Sequence, residues 1–298
     1  PDVYVLDRGT SRVYHYIVND AGPSVTPTPA DGIILKFGDK AGDRTVGDLI
    51  DLLWVEPGGR LIAIDKAGVF LEYDQSKGTW SAHIARDAAK WSRVTLATNY
   101  IGTLYLLDQG LNQILRYVAG EGAWTSSTTY FAPGVNVDLA GVNDMAIDGE
   151  VWLARGDGSI ARFNQGKPVD LTIRDLDTPL SKSVAVFTSE KINNIYIADA
   201  GNHRVRQLRD GRVTTIAGRE TPRDELGFEQ GGHQDGPVAQ ALLKCPVDID
   251  RTPTGELLIA DLGNHALRRL VGGALATHAL SSTQPLSAPT GVLAVGSA

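Results

Sequence analysis

Apolar and polar side chains alternate in short runs along the whole chain, and the runs recur in matched pairs. Residues 195–208 read IYIADAGNHRVRQL and residues 257–270 read LLIADLGNHALRRL. Looser copies are VYVLDRGTSRVYHY at 3–16, LYLLDQGLNQILRY at 104–117, LIAIDKAGVFLEY at 61–73 and VWLARGDGSIARF at 151–163. Alternation with period two predicts strands with one buried face, and each copy predicts two such strands joined by a tight reversal. The reversal begins at Asp7, Asp65, Asp108, Asp199 and Asp261, with Arg155 at the equivalent place in the remaining copy. A carboxylate there can accept amides from inside the turn. Gly201, Asn202, Gly263 and Asn264 are the residues expected to carry positive φ.

A further apolar run precedes each copy but the first: DLLWV at 51–55, RVTLA at 93–97, DMAID at 144–148, SVAVF at 183–187 and DIDRT at 248–252. One such run is left over, APTGVLAV at 288–295, at the other end of the chain. Six units of four-strand size, spaced 43 to 62 residues apart, predict an all-β ring, the six-bladed β-propeller. The C-terminal run is expected to supply the inner strand of the N-terminal blade. Residues 1–30 and 286–298 then share one blade, and residues 1–298 form one domain. Closure of this kind leaves no long open sheet edge.

Composition narrows the function classes. Hydrophobic content of 42% and charged content of 21% suit a globular core. No apolar run approaches the ~20 residues of a membrane span. No signal peptide is visible, and the missing initiator Met predicts a fragment excised from a larger protein. Cys245, the lone cysteine, rules out an internal disulfide and is expected to be a buried structural thiol. A net charge of −7 weighs against nucleic acid as the partner. Arg204, Arg206, Arg209, Arg212 and Arg219, followed by Arg268 and Arg269, form a local basic cluster. It reads as a solvated face or as an interaction surface for an acidic partner, and it is also where RNA would bind. Residues 20–31 and 219–240, rich in proline and glycine, are expected as long loops. On a rigid ring such loops carry recognition or simply connect blades.

The repeats resemble NHL repeats, most closely over 195–270. There TTIAG (214–218), DGPVAQALLKCPVDID (235–250) and GELLIADLGNHALRRL (255–270) follow that family's order. An Ala-Gly pair, a Gly-rich loop, Asp-Gly, Ala and Pro precede the inner strand. Between 61 and 163 only strand rhythm and spacing carry the likeness. The resemblance implies a ring with an axial channel that binds protein or RNA, or that senses a ligand as the extracytoplasmic domain of a bacterial membrane signalling protein. One branch of the family is a metal-dependent lyase with His ligands on the axis. The six His of this chain fit that branch poorly. His203 and His265 are turn residues, and His15 matches the outward polar positions of Arg116, Gln207 and Arg269. His83, His233 and His278 share no inner-strand position, and a zinc site needs about three converging ligands.

Aligning the inner runs at their first residue sets Gly291, Asp51, Arg93, Asp144, Ser183 and Asp248 around the channel mouth. Asp51, Asp144 and Asp248, with Arg93, make the candidate ligand-binding set. Converging carboxylates suit Ca²⁺ or another divalent cation on the axis, or a cationic ligand group. They equally suit acceptors for nearby backbone amides, or the lining of a wet channel. No nucleophile–base pair or phosphate loop is present. Trp54 and Trp152 sit in strand runs and are expected in the core, whereas Trp80, Trp91 and Trp124 lie in polar segments that pack or bind. The resulting functional expectation is a non-catalytic binding or sensing module for a protein or peptide partner. A small ligand, or an enzyme using the axial channel, is the alternative.

Overall fold

The computed structural model describes residues 2–18, 24–27, 29, 31–56, 58–118, 124, 126–188, 194–252, 254–280 and 289–295. Six blades, each an antiparallel set of strands, stand around an axis as a propeller. In blade two the strand order from the axis outward is Leu49–Val55, Arg60–Asp65, Val69–Asp74 and Thr79–Ile84. The inner strands of blades three to six are Val94–Tyr100, Val142–Ile147, Ser183–Thr188 and Pro246–Arg251. In blade one the inner strand is Gly291–Val295, which pairs antiparallel with Asp2–Asp7. The two ends of the chain thus close the ring, as expected.

The seam between the last blade and the first also runs outward. Ala274–Leu280 pairs in parallel with Ser24–Pro27, so blades six and one share a single ten-stranded sheet. Segment 20–31, expected as a loop, therefore contains a strand at 24–27, an outer position that tolerates proline. Residues 20–23, 28 and 30 lie outside the described residues.

Alternating residues on each sheet pack against the next sheet, so the core is divided among the six junctions between blades. Ile62, Ile64 and Phe70 of blade two meet Leu104, Leu106 and Tyr117 of blade three. Leu258, Ala260 and Leu267 of blade six meet Val3, Val5 and Tyr16 of blade one. Burial of such side chains stabilises by roughly 1.5–3 kcal/mol each.

The reversals differ from expectation in one respect. Positive φ falls on His203 (57°) and His265 (52°), while residues 200–202 and 262–264 form short 3₁₀ turns. The glycines serve close approach instead. A Cβ at Gly201 would come within 2.7 Å of the Ser181 carbonyl oxygen, and one at Gly263 within 2.7 Å of that of Lys244. The repeated Asp does what a turn residue should. Asp108 accepts the amides of Ser92 (2.7 Å), Arg93 (2.8 Å), Gly110 (3.0 Å) and Leu111 (3.0 Å), tying the turn to the entry of its own inner strand.

Candidate functional site

Each inner strand of blades two to six carries a one-residue irregularity in register near its start. Such a bulge shifts every later residue by one place. Pairing with the second strand then shows which inner-strand residues are equivalent. Asp51 faces Ile64, Leu96 faces Leu107, Asp144 faces Ala154, Ala185 faces Ala198, Asp248 faces Ala260 and Gly291 faces Leu6. The true ring is thus Gly291, Asp51, Leu96, Asp144, Ala185 and Asp248. Arg93 is not a member, because it precedes its strand and is exposed at the rim. Ser183 is likewise replaced by Ala185. Asp still falls in every second blade after the correction, and with Leu96 in place of Arg93 every residue between is uncharged.

The alternation has a direct physical reason. An innermost strand has no partner on its channel side, so its amides there need acceptors. Asp51 accepts the amide of its own Leu52 (3.1 Å) with one oxygen and that of Ala97 in blade three (2.8 Å) with the other. Asp144 does the same for Met145 (2.8 Å) and for Val186 in blade five (2.9 Å). Asp248 takes Ile249 (2.9 Å) and Val292 of blade one (2.7 Å). Three carboxylates in alternate blades thereby satisfy one channel-facing amide from each of the six blades. Among the alternatives open from sequence, the geometry shows the amide-acceptor arrangement.

Two members of the site were missed. Asp250, two residues beyond Asp248 on the same strand, repeats the arrangement one step deeper, accepting Arg251 (2.7 Å) and Ala294 (2.6 Å) amides. Its signal was the DID triplet, since residues i and i+2 of a strand share a face. Arg8 follows the repeated Asp7 and leans over the channel, its Nη2 donating to Asp51 Oδ1 at 3.2 Å. Its signal was being a cation at a turn that opens onto the mouth. Asp51 foremost, and Asp144 and Asp248 across the ring, hold Arg8 firmly in its charged form. The chain itself thus provides a cationic group for its carboxylate ring.

Burial pushes the Asp144 carboxyl up to about 7, with the Asp51 charge adding to the rise and the Val186 and Met145 amides and Arg8 opposing it. Burial also pushes Asp250 up to about 7 and Asp248 well above the usual carboxylate range. The ring carboxylates and Arg8 line an axial cavity of about 340 Å³, with Trp54, Asn99, Phe187 and Leu293 also in its wall. Trp54, expected in the core, is half-buried in this wall with its Nε1 on Glu56 (2.9 Å). Trp152 is a core residue. Trp80 and Trp124 are buried and Trp91 is half-buried, all three serving packing.

The arginine cluster does not form one surface. Arg204 and Arg206 are buried: Arg204 reaches Glu229 (2.9 Å), and Arg206 reaches Asp199 (3.0 Å) and Asp177 (2.6 Å). Arg209 and Arg212 are exposed and lie beside Asp210 and Asp175. Arg206 shares a strand face with the core residue Leu208, and the repeated Asp199, diagonally placed on the paired strand, supplies its counter-charge. Arg268 repeats this against Asp261 and Asp235, both at 2.7 Å. His15, expected to face solvent, is half-buried, stacked on Tyr4 and 2.9 Å from Asp2. The His203 ring accepts the Cys245 amide through Nδ1 (2.9 Å) and donates from Nε2 to the Glu229 carbonyl (2.7 Å). Cys245 is half-buried, and burial raises its thiol pKa, which disfavours the reactive thiolate. Among the described residues, no three His, Cys, Asp or Glu side chains are placed to share a metal ion. Among the described residues, no helix is long and apolar enough to cross a membrane.

No family model and no curated protein matches this chain. Solved structures do. A protein of unknown function from Bacteroides thetaiotaomicron superposes with a TM-score of 0.60 at 15% identity, over 97% of this chain and 83% of that one. An auxiliary nutrient binding protein from Bacteroides ovatus gives a TM-score of 0.55 at 14% identity, over 93% and 78%. Virginiamycin B lyase from Staphylococcus aureus gives 0.53 at 14% identity, over 99% and 85%. At these identities the likeness is one of fold.

Proposed function

We propose that this protein is a non-catalytic binding or sensing module of the NHL type, whose rigid ring presents the loops at the channel mouth to a protein or peptide partner. The observation that carries this reading is the carboxylate ring. Asp51, Asp144 and Asp248 each accept two backbone amides, and Arg8 lies against Asp51, so these groups brace the channel. A braced ring with long loops at one end is a recognition scaffold. The nutrient binding protein of the same fold agrees with such a role. Attachment to a larger signalling protein is part of the proposal.

A small ligand is the second reading, favoured by the 340 Å³ axial cavity that the ring carboxylates line. The test is a thermal-shift screen against short peptides, small metabolites and divalent ions, because anything that binds the native state raises Tm by mass action. Peptides are expected to raise it. A shift by metabolites alone would move the site into the cavity. A shift by Ca²⁺ that Asp144→Asn abolishes would replace this reading with a cation site on the axis.

A further inference from the structure

We propose that the hairpin at residues 221–229, together with Lys182 and Lys244, is a docking surface for an acidic peptide segment that carries an apolar anchor. The proposal deepens the binding-module reading and rests on it. Leu226 and Phe228 are 81% and 58% exposed at the hairpin tip. A flexible loop would lose this arrangement in solution, but the hairpin is bonded throughout. Asp224 Oδ1 accepts the amides of Leu226 and Phe228, both at 2.9 Å, while the Asp224 amide donates to the Phe228 carbonyl at 2.8 Å. Arg223 Nη1 donates to the Gly227 carbonyl at 2.8 Å.

The base is anchored more firmly still. Glu229 is buried and accepts two bonds from Arg204 (2.9 and 3.1 Å) and the Thr221 amide (3.3 Å), while its carbonyl accepts from His203. This accounts for a buried Arg–Glu pair that the ring does not need elsewhere. Rigid presentation of two large apolar side chains lowers the ordering cost of binding and is the usual form of an interface anchor.

Charge identifies the partner. Lys182 sits beside the tip, its Nζ 5.8 Å from the centre of the Phe228 ring. Lys182 and Lys244 are exposed, and neither takes part in an ion pair among the described residues. Both precede inner strands, so they lie at the same end of the ring as the channel mouth. The exposed cations on and beside the hairpin are Lys182, Lys244, Arg219 and Arg223, and its exposed acids are Glu220, Asp224 and Glu225. Arg223 is turned to the buried Glu229 (3.4 Å), so the positive charge open to a partner is that of the two lysines. An acidic segment is drawn to such a site, and the −7 charge of the whole chain repels it elsewhere. Nucleic acid fits less well, because Leu226 offers no ring for stacking and Lys182 already lies over Phe228.

The experiment is selection from a random peptide library on the whole protein, with Leu226→Asp/Phe228→Asp as a parallel target. Enriched peptides are measured by fluorescence polarisation, and oligo-uridine RNA is the competitor. Acidic peptides with a central Leu or aromatic residue are expected. Their affinity should fall at least tenfold with Phe228→Ala and with Lys182→Glu/Lys244→Glu, and should weaken with salt. Unchanged melting of these surface variants shows that the fold is intact. Peptides of other chemistry that bind the tip variants equally overturn the docking surface and leave the binding-module reading standing. Enrichment of nothing, or displacement by RNA in preference to peptide, overturns the acidic-peptide proposal, and the former removes the peptide-binding reading with it.

Discussion

Asp144 and Val186 belong to different blades, yet a carboxylate oxygen of Asp144 accepts the Val186 amide at 2.9 Å. The same carboxylate holds Met145 in its own blade, so one side chain fastens two innermost strands. Replacing it by Asn leaves a single acceptor oxygen and turns an amide donor toward a backbone donor. Asp144→Asn is expected to cost about 1–3 kcal/mol, the range for a polar group left unpaired, read as a lower Tm. Removing all three ring carboxylates should prevent a cooperative melt. A triple Asn variant that melts like the wild type would refute the bracing role.

The ring also sets a pH dependence. Burial holds Asp144 and Asp250 protonated up to about pH 7, whereas an unfolded Asp titrates near 3.9. The native state therefore binds these protons more tightly. Their contribution is complete below about pH 4 and is lost as pH rises through 7. Asp177 and Asp235 act in the opposite sense. Burial raises their pKa, but hydrogen bonds that include those from Arg206 and Arg268 more than offset it. That contribution is present above about pH 4 and lost below it. Chemical denaturation should show greatest stability near pH 4 and a decline from there toward about pH 7; stability that climbs from pH 6 to 8 would contradict this.

Arg8 faces Asp51, Asp144 and Asp248, so its value depends on their charge. Arg8→Ala should cost about 1 kcal/mol, the scale of a hydrogen bond to a charged group that stays partly open to water. The loss should be larger at pH 8 than at pH 5. Equal losses at both would mean that Arg8 only packs.

Buried and exposed arginines of one strand should separate cleanly. Arg206→Ala leaves Asp199 buried without its partner and is expected to cost about 3–5 kcal/mol. Arg209→Ala, at the surface, should stay within about 0.5 kcal/mol. Urea denaturation of the two variants decides.

Removal of residues 286–298 deletes the inner strand at Gly291–Val295 and the acceptor-matched amides of Val292 and Ala294. The truncated chain should lose its cooperative thermal transition. An unchanged Tm would show that the ring does not depend on that closure.

The ring was legible in the sequence because strands with one buried face impose period two, and because each turn repeats its Asp. The inner-strand runs starting at 51, 93, 144, 183 and 248 each fall within a few residues of an observed strand. What a sequence does not display is the pairing partner of each strand residue. The apolar runs at 93 and 183 begin earlier relative to their second strands than those at 51, 144 and 248. Matching first residues therefore set Arg93 and Ser183 three and two places ahead of Leu96 and Ala185, the residues that pair as Asp51 does. The arginines misled for a related reason: on an alternating strand a charge reads as outward. Arg206 points inward because the buried Asp199, seven residues earlier and diagonally placed on the paired strand, accepts its Nε at 3.0 Å. Arg8 was hidden differently, since nothing local shows that a turn will lean over an axis.

A carboxylate has two oxygens and each blade offers one amide at this level, so the count balances only when blades come in twos. Losing or gaining a single blade by recombination would strand either an oxygen or an amide at the centre. Losing or gaining a neighbouring pair would not. The working unit of this six-fold molecule is therefore the doublet, repeated three times about the axis, and any shortened or lengthened relative that keeps the device is expected to have an even number of blades.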